Sequence, residues 1–368
     1  MMRFNVVLWV AVTLLCSFVA IDSKAQSLSL QSVTIYQEKL SLGNGEMAAA
    51  EMLSEEVGKR TGTKWPVSVT WPVSGDVVVL KRGAAKVKLP FTVPATPALS
   101  TKGESFRVVF VQHSNQKVII VEGADDRGVL FGAGYLLRTM TYSTGSITFD
   151  KAPAIASSPD KSMRGHQLGY RNTANSWDAW TKEEFEQYIR DLVVFGTNSI
   201  ESIPIFDEHA SPHFKVKPDE MNAFISQVCQ KYSLDYWMWI PAQFDLKDIK
   251  LRNKYLATFE EICKQSVRIN GVFFPGGDPG DNPPELVMPL LQDLAGILKK
   301  YHPQASTWVS LQGFTPAQSQ YVYQYIKGKM PVWLGGLITG PSSPTVEETR
   351  AVLPARYKLR HYPDLTHN

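Results

Sequence analysis

The 368-residue chain is poor in cysteine, with only Cys16, Cys229 and Cys263. That excludes a disulfide-built scaffold, and no Cys/His pairs stand at metal-binding spacing. The chain also lacks an excess of either charge. Lys and Arg number 38 against 35 Asp and Glu, a formal net charge of +3. No basic stripe runs along any segment, so nucleic acid is not an expected partner. Beyond the N-terminus no apolar run is long enough to cross a bilayer. No Gly-x-Ser-x-Gly elbow is present, which argues against an esterase. Gly128, Gly132 and Gly134 fall within a helical pattern with no acid at the right distance, which excludes a dinucleotide loop.

What is present divides into three stretches. The first 25 residues carry Arg3, an apolar run over 6–20, and Ser23-Lys-Ala25 with small residues flanking a cut after Ala25. This is the pattern of a secretory signal. It predicts an exported protein, periplasmic or extracellular, with no membrane span once the signal is removed; the alternative is an N-terminal helix retained as an anchor. Cys16 follows Leu15 rather than a small residue and is not read as a lipid-attachment site. Cys229 and Cys263 fall on two successive predicted helices. Export would permit a bond between them, and separate buried thiols are the alternative.

Residues 26–150 read as a small α+β domain. Residues 28–36 alternate as one strand. A helix follows over 46–60, with Met47, Ala50, Leu53 and Val57 on one face and Gly62 at its end. Strands are expected at 67–69, 77–80, 106–111 and 117–121. A turn at 123–128 then feeds a second helix, with Asp125, Asp126 and Arg127 as turn and cap residues. Residues 151–161, with Pro153, Ser157, Ser158 and Pro159, read as a linker.

From 162 to 368 the pattern is strand then helix, repeated. Strands are predicted at 163–168, 198–204, 234–240, 271–274, 307–311, 332–337 and 357–361. The alternation predicts a (β/α)₈ barrel, whereas a doubly wound sheet would need a phosphate loop that is absent. Seven strands fall one short of eight. The expectation is therefore a barrel incomplete before strand eight, with an unpaired edge at 163–168 and a tendency to aggregate.

In such barrels the chemistry sits in loops at the C-terminal ends of the strands. The stretch Gly271-Val-Phe-Phe-Pro-Gly-Gly-Asp-Pro-Gly-Asp-Asn282 is an apolar strand followed by a Gly/Pro loop that holds Asp278 and Asp281. Other strand ends offer Arg164, His166 and Gln167, then Trp239 and Gln243, then Gln312, then His361, Tyr362, Asp364 and His367. Aromatic faces suit the apolar faces of pyranose rings, and amides, imidazoles and guanidinium suit hydroxyls or a carboxylate. A pair of carboxyl groups carries glycosidic hydrolysis. Asp278 is the expected general acid, with Asp281 as its partner. Trp237 and Trp239 alternate with Met238, so at least one of that set is barrel core, and Trp239, nearer the C-terminal end, is the expected sugar-facing indole. Asp207 and Glu208 read as solvated loop charges. Asp278, Asp364 and His367 have no local ligand spacing, so no metal is expected, and no cofactor.

Two resemblances sharpen this. Ala48-Ala-Ala-Glu-Met-Leu53 with Thr61-Gly62, and Gly123-Ala-Asp-Asp-Arg-Gly-Val-Leu-Phe-Gly132, resemble the accessory domain ahead of the barrel in bacterial β-hexosaminidases and α-glucuronidases. Met163-Arg-Gly-His-Gln-Leu-Gly169, Gly276-Gly-Asp-Pro-Gly280 and His361-Tyr-Pro-Asp-Leu-Thr-His367 resemble the barrel of secreted glycosidase-like proteins of polysaccharide-degrading bacteria. Together they imply an exported glycoside hydrolase acting on an oligo- or polysaccharide with acetamido sugars or uronic acids. Arg164 is similar to the substrate-binding arginine that opens the β-hexosaminidase barrel. The chain departs at the fourth strand from the β-hexosaminidases, which carry adjacent Asp-Glu, and from the related O-linked N-acetylglucosamine hydrolases, which carry adjacent Asp-Asp, since this chain has Asp278-Pro279. An acetamide-assisted mechanism is therefore not implied residue by residue. The alternative is a glycan-binding protein on a degenerate barrel.

Overall fold

The computed structural model describes residues 27–38, 43–168, 179–202, 206 and 211–362. The proposed signal over 1–25, and Asp207, Glu208, Asp364 and His367, lie outside the described residues.

An N-terminal α+β layer comes first. It runs β1 (Leu28–Leu30), β2 (Thr34–Tyr36), α1 (Asn44–Thr61), β3 (Val67–Ser68), β4 (Val77–Arg82), β5 (Phe106–His113) and β6 (Gln116–Gly123). It continues α2 (Asp126–Thr139), β7 (Thr141–Ser143), β8 (Ser146–Phe149) and β9 (Ala154–Ser157). The single strand expected over 28–36 is two. Ser32 takes a left-handed φ of 49° and breaks the run, so β1 joins β8 while β2 joins β4. The linker expected over 151–161 contains a strand. Here β9 pairs antiparallel with β5 at the end of the sheet order β3-β2-β4-β6-β5-β9. The flanking prolines signalled a loop, but proline is compatible with an edge strand.

Period-two alternation gives this sheet two buried faces. Val78, Leu80, Ile119 and Val121 pack with the apolar residues of α1 and α2, while Val77, Val79, Val118 and Ile120 pack under Trp71 and Phe91. Asp125 caps α2, its carboxylate accepting from the Gly128 amide at 2.8 Å.

The second layer alternates strand and helix. It runs β10 (Gly165–Gln167), α3 (Lys182–Val194), β11 (Ser199–Glu201), α4 (Pro218–Lys231), β12 (Asp235–Trp239), α5 (Ile249–Gln265) and β13 (Gly271–Phe274). Then come α6 (Pro284–Tyr301), β14 (Ser306–Ser310), α7 (Pro316–Lys329), β15 (Leu334–Thr339), α8 (Val346–Val352) and β16 (Lys358–His361). The strands are parallel and lie in chain order, a curled half-barrel. Among the described residues β10 and β16 are its two edges. Capping boxes Thr181/Glu184, Thr315/Gln318 and Thr345/Glu348 start α3, α7 and α8. Each satisfies orphan helix amides in both directions and fixes where the preceding loop ends. Cys229 on α4 and Cys263 on α5 are separate, buried thiols.

Candidate active site

The curled sheet brings one face of its strands together. Trp237 of β12 meets Trp308 of β14 edge to face, with centroids 5.3 Å apart. Arg360 of β16 reaches across to the same place. Its guanidinium lies over the Trp237 and Phe273 rings at 5.0 and 5.6 Å. Its Nη2 stands 2.7 Å from Oε2 of Glu201 on β11. Five strands therefore send side chains to one interior. Glu201 is only 1% exposed, and burial pushes its carboxyl up against the opposing pull of Arg360. The two meet charge to charge without an aligned hydrogen bond, and Nη1 of Arg360 and Nε1 of Trp237 have no hydrogen-bond partner.

Above this interior lies a polar row. The Tyr362 hydroxyl, just past β16, donates to Gln167 Oε1 of β10 at 2.5 Å, and its ring meets Phe273 at 6.1 Å. Two edge strands without a shared backbone ladder are thus joined through side chains. After β14, Gln312 Nε2 donates to Asp278 Oδ2 at 3.1 Å. Gly340, after β15, lies between the two pairs. A Cβ there would stand 3.2 Å from the Tyr362 ring and 3.5 Å from Gln312 Oε1. Asp278, Gln312, Tyr362 and Gln167, four residues expected at the site, therefore share one rim.

The loop that carries Asp278 is held by backbone and by one amide. Gly276 (φ 86°) and Gly280 (φ 118°) take left-handed conformations, and a Cβ on them would lie 2.4 and 2.1 Å from the Ser310 and Ala242 carbonyl oxygens. Only glycine fits there. Asn282 is 5% exposed. Its amide donates to the carbonyls of Ala242, Phe244 and Gly280 and accepts from the Leu246 amide at 3.0 Å. This ties the loop after β13 to the loop after β12, where Gln243 is half-buried. Asp278 itself is exposed at the rim. Asp281 is exposed with φ 49°, and its amide donates to the Gly277 carbonyl at 2.9 Å, the environment of a turn residue.

Three expected binding residues face elsewhere. Arg164 precedes β10 and so lies at the opposite end of the barrel. It bonds Glu104 at 2.7 Å, the Gly196 and Lys161 carbonyls at 2.8 Å, and stacks on Phe131 at 5.2 Å. Its job is to join the two layers. His166 alternates outward from β10. Its Nε2 is 2.9 Å from the Tyr188 hydroxyl on α3, and burial pushes the imidazole down. His361 is exposed on the outer face of β16, 3.3 Å from the Thr339 hydroxyl. Trp239 lies on the inner face, two residues beyond Trp237 and in register with Phe273, and is 7% exposed. Among the described residues no group of three His, Cys, Asp or Glu could hold a metal ion.

Sequence reasoning missed Glu201 and Arg360. The available signal was a lone acid, Glu201, inside the second predicted strand, and a basic residue, Arg360, inside the seventh, where Lys358 stands on the same strand. Their pairing across the interior needs the curl of the sheet. Asn282 was also missed as the brace of the acid-bearing loop.

No family model matches the chain, and no curated protein matches it. Solved structures do. A chitobiase of Flavobacterium johnsoniae is 13% identical at a TM-score of 0.58, over 92% of this chain and 57% of that one. A family 115 4-O-methyl-α-glucuronidase with specificity for decorated arabinogalactans is 13% identical at 0.59, over 91% and 49%. A family 138 enzyme targeting pectin rhamnogalacturonan II is 13% identical at 0.55, over 84% and 47%. The chain spans about half the length of these structures. At such identities the likeness is one of fold: a mixed α/β chain with an N-terminal α+β layer and a curled, barrel-like parallel sheet, an arrangement it shares with these glycoside hydrolases.

Proposed function

We propose that the protein, exported from the cell, hydrolyses a glycosidic bond in an oligo- or polysaccharide at the C-terminal rim of the half-barrel. The acid is Asp278. The observation that supports this most is the Asp278–Gln312 contact at the ends of β13 and β14, in a row with Tyr362 and Gln167 above an aromatic interior. A carboxyl on a braced loop can meet a glycosidic oxygen, and amide and phenol groups beside it can fix ring hydroxyls. Assaying the full chain on aryl N-acetylhexosaminides, glucuronides and galactosides tests the reading. Asp278→Asn should lower turnover by about 10²–10⁴-fold at an unchanged Tm. Full turnover in that variant sinks the assignment. Fractionating cells that express the whole chain tests export, and retention in the cytoplasm would refute it.

A second reading is glycan binding without hydrolysis. Two observations favour it: Asp278 is followed by Pro279 rather than a second acid, and it is exposed. Polysaccharide retardation without release of reducing sugar is its expected signature.

A further inference from the structure

We propose that the sugar ring taken up above the barrel interior is a neutral one, and that the site discriminates against a uronic acid; this rests on reading the rim as a carbohydrate site. Recognition of a uronate carboxylate calls for a cation that is not already neutralised. Among the described residues that converge on the interior, Arg360 is the cation, and Glu201 stands 2.7 Å from it. Arginine does not give up its proton, so Glu201 is the charge that balances it. The pair is net neutral, and a uronate beside it would meet a second carboxylate as well as the guanidinium.

Among the described residues, the other groups expected to take a carboxylate are engaged elsewhere. Arg164 is bound to Glu104 at the far end of the barrel, His166 meets Tyr188 of α3, and His361 lies on the outer face. What the described residues offer at the rim is an amide, a phenol and a second amide, with the Asp278 carboxylate. These suit hydroxyls, which both donate and accept. Below them, Nη1 of Arg360 and Nε1 of Trp237 are donors without partners among the described residues, in residues that are buried or nearly so.

The test uses the full chain and matched methyl pyranosides that differ only at C6: glucoside against glucuronide, and galactoside against galacturonide. Binding is read by calorimetry and by tryptophan emission. The wild type should prefer the neutral member of at least one pair by about tenfold or more. Glu201→Gln uncovers the Arg360 charge and should move that preference toward the uronate by about tenfold, an effect that added salt weakens. The double variant Glu201→Leu/Arg360→Met removes both charges and should gain no uronate binding. Buried ion pairs replaced in this way commonly keep their fold.

A wild type that favours the uronide, or binds neither member of either pair, overturns the inference. So does a folded Glu201→Gln chain with the wild-type preference. If Glu201→Gln does not fold, the wild-type preference still decides. These are binding measurements, so neutral-sugar binding without turnover would sink the hydrolase reading and leave this one standing.

Discussion

The two ends of the half-barrel handle polar side chains differently. At the N-terminal end, charges lock the layers together. Glu104 accepts from Arg127, Arg164 and Asn198 at 2.7–3.0 Å, and Arg127 continues to Asp235 at 2.5 Å. Nearby, Arg190 of α3 meets Glu56 of α1 at 3.1 Å and donates to the Tyr232 hydroxyl at 2.9 Å. At the C-terminal end, among the described residues, the contacts lean on uncharged groups, Tyr362 with Gln167 and Gln312 with Asp278. A partly buried network of full charges makes stability depend on every member, because removing one strands the rest. Exposed or partly exposed hydrogen bonds of this kind can exchange partners with a ligand at little cost. The difference teaches that a charged residue near a barrel strand is no guide to function until the end it occupies is known.

Breaking the lower network should have the largest effect. Glu104→Ala leaves Arg127 and Arg164 short of a partner and should cost about 3 kcal/mol, read as a lower urea midpoint. The same end should be acid-sensitive. Burial alone would raise the Glu56 carboxyl, but hydrogen bonds from Arg60, Lys59 and Arg190 bring it down to about 2. Burial is likewise overridden at Glu104 by Arg164, Asn198 and Arg127, which hold it below the usual 4.5. Both folded-state values are depressed. Their stabilisation is therefore complete above about pH 5 and lost as pH falls toward 2. Urea midpoints measured across that window should fall with acid, and less steeply in Glu56→Gln.

Next in size is the brace of the upper loop. Asn282→Ala removes four hydrogen bonds from a buried position and should cost about 2 kcal/mol. It should also reduce whatever activity or binding depends on Asp278. The smallest effect is at the rim. Tyr362→Phe should cost about 1 kcal/mol or less, and a double-mutant cycle with Gln167→Ala should show the two changes to be coupled rather than additive. A rim variant as damaging as Glu104→Ala would break the contrast between the ends.

Much of this architecture was legible locally. Strand–helix alternation follows from apolar runs and capping residues a few positions apart, and every predicted barrel strand has its counterpart in β10–β16. The Gly/Pro loop after β13 was legible for the same reason, since Gly276 and Gly280 leave no room for a side chain. The break at Ser32 and the strand inside 151–161 were not legible. One depends on which sheet each half joins, the other on an edge supplied by β5.

By itself the sequence determined the strand–helix order of the second layer, the acid-bearing loop and the rim residues Gln167, Gln312 and Tyr362, because these follow from periodicity and from position relative to a strand end. Only the tertiary structure decided the fates of Arg164, His166 and His361. The first turns on which end of β10 it precedes and on Glu104, sixty residues earlier in the chain. The other two turn on which face of a strand each side chain takes, and one residue of register reverses that face. The same curl of the sheet joined Glu201 to Arg360 across the interior, since the second and seventh strands of an open, flat sheet would lie too far apart to meet.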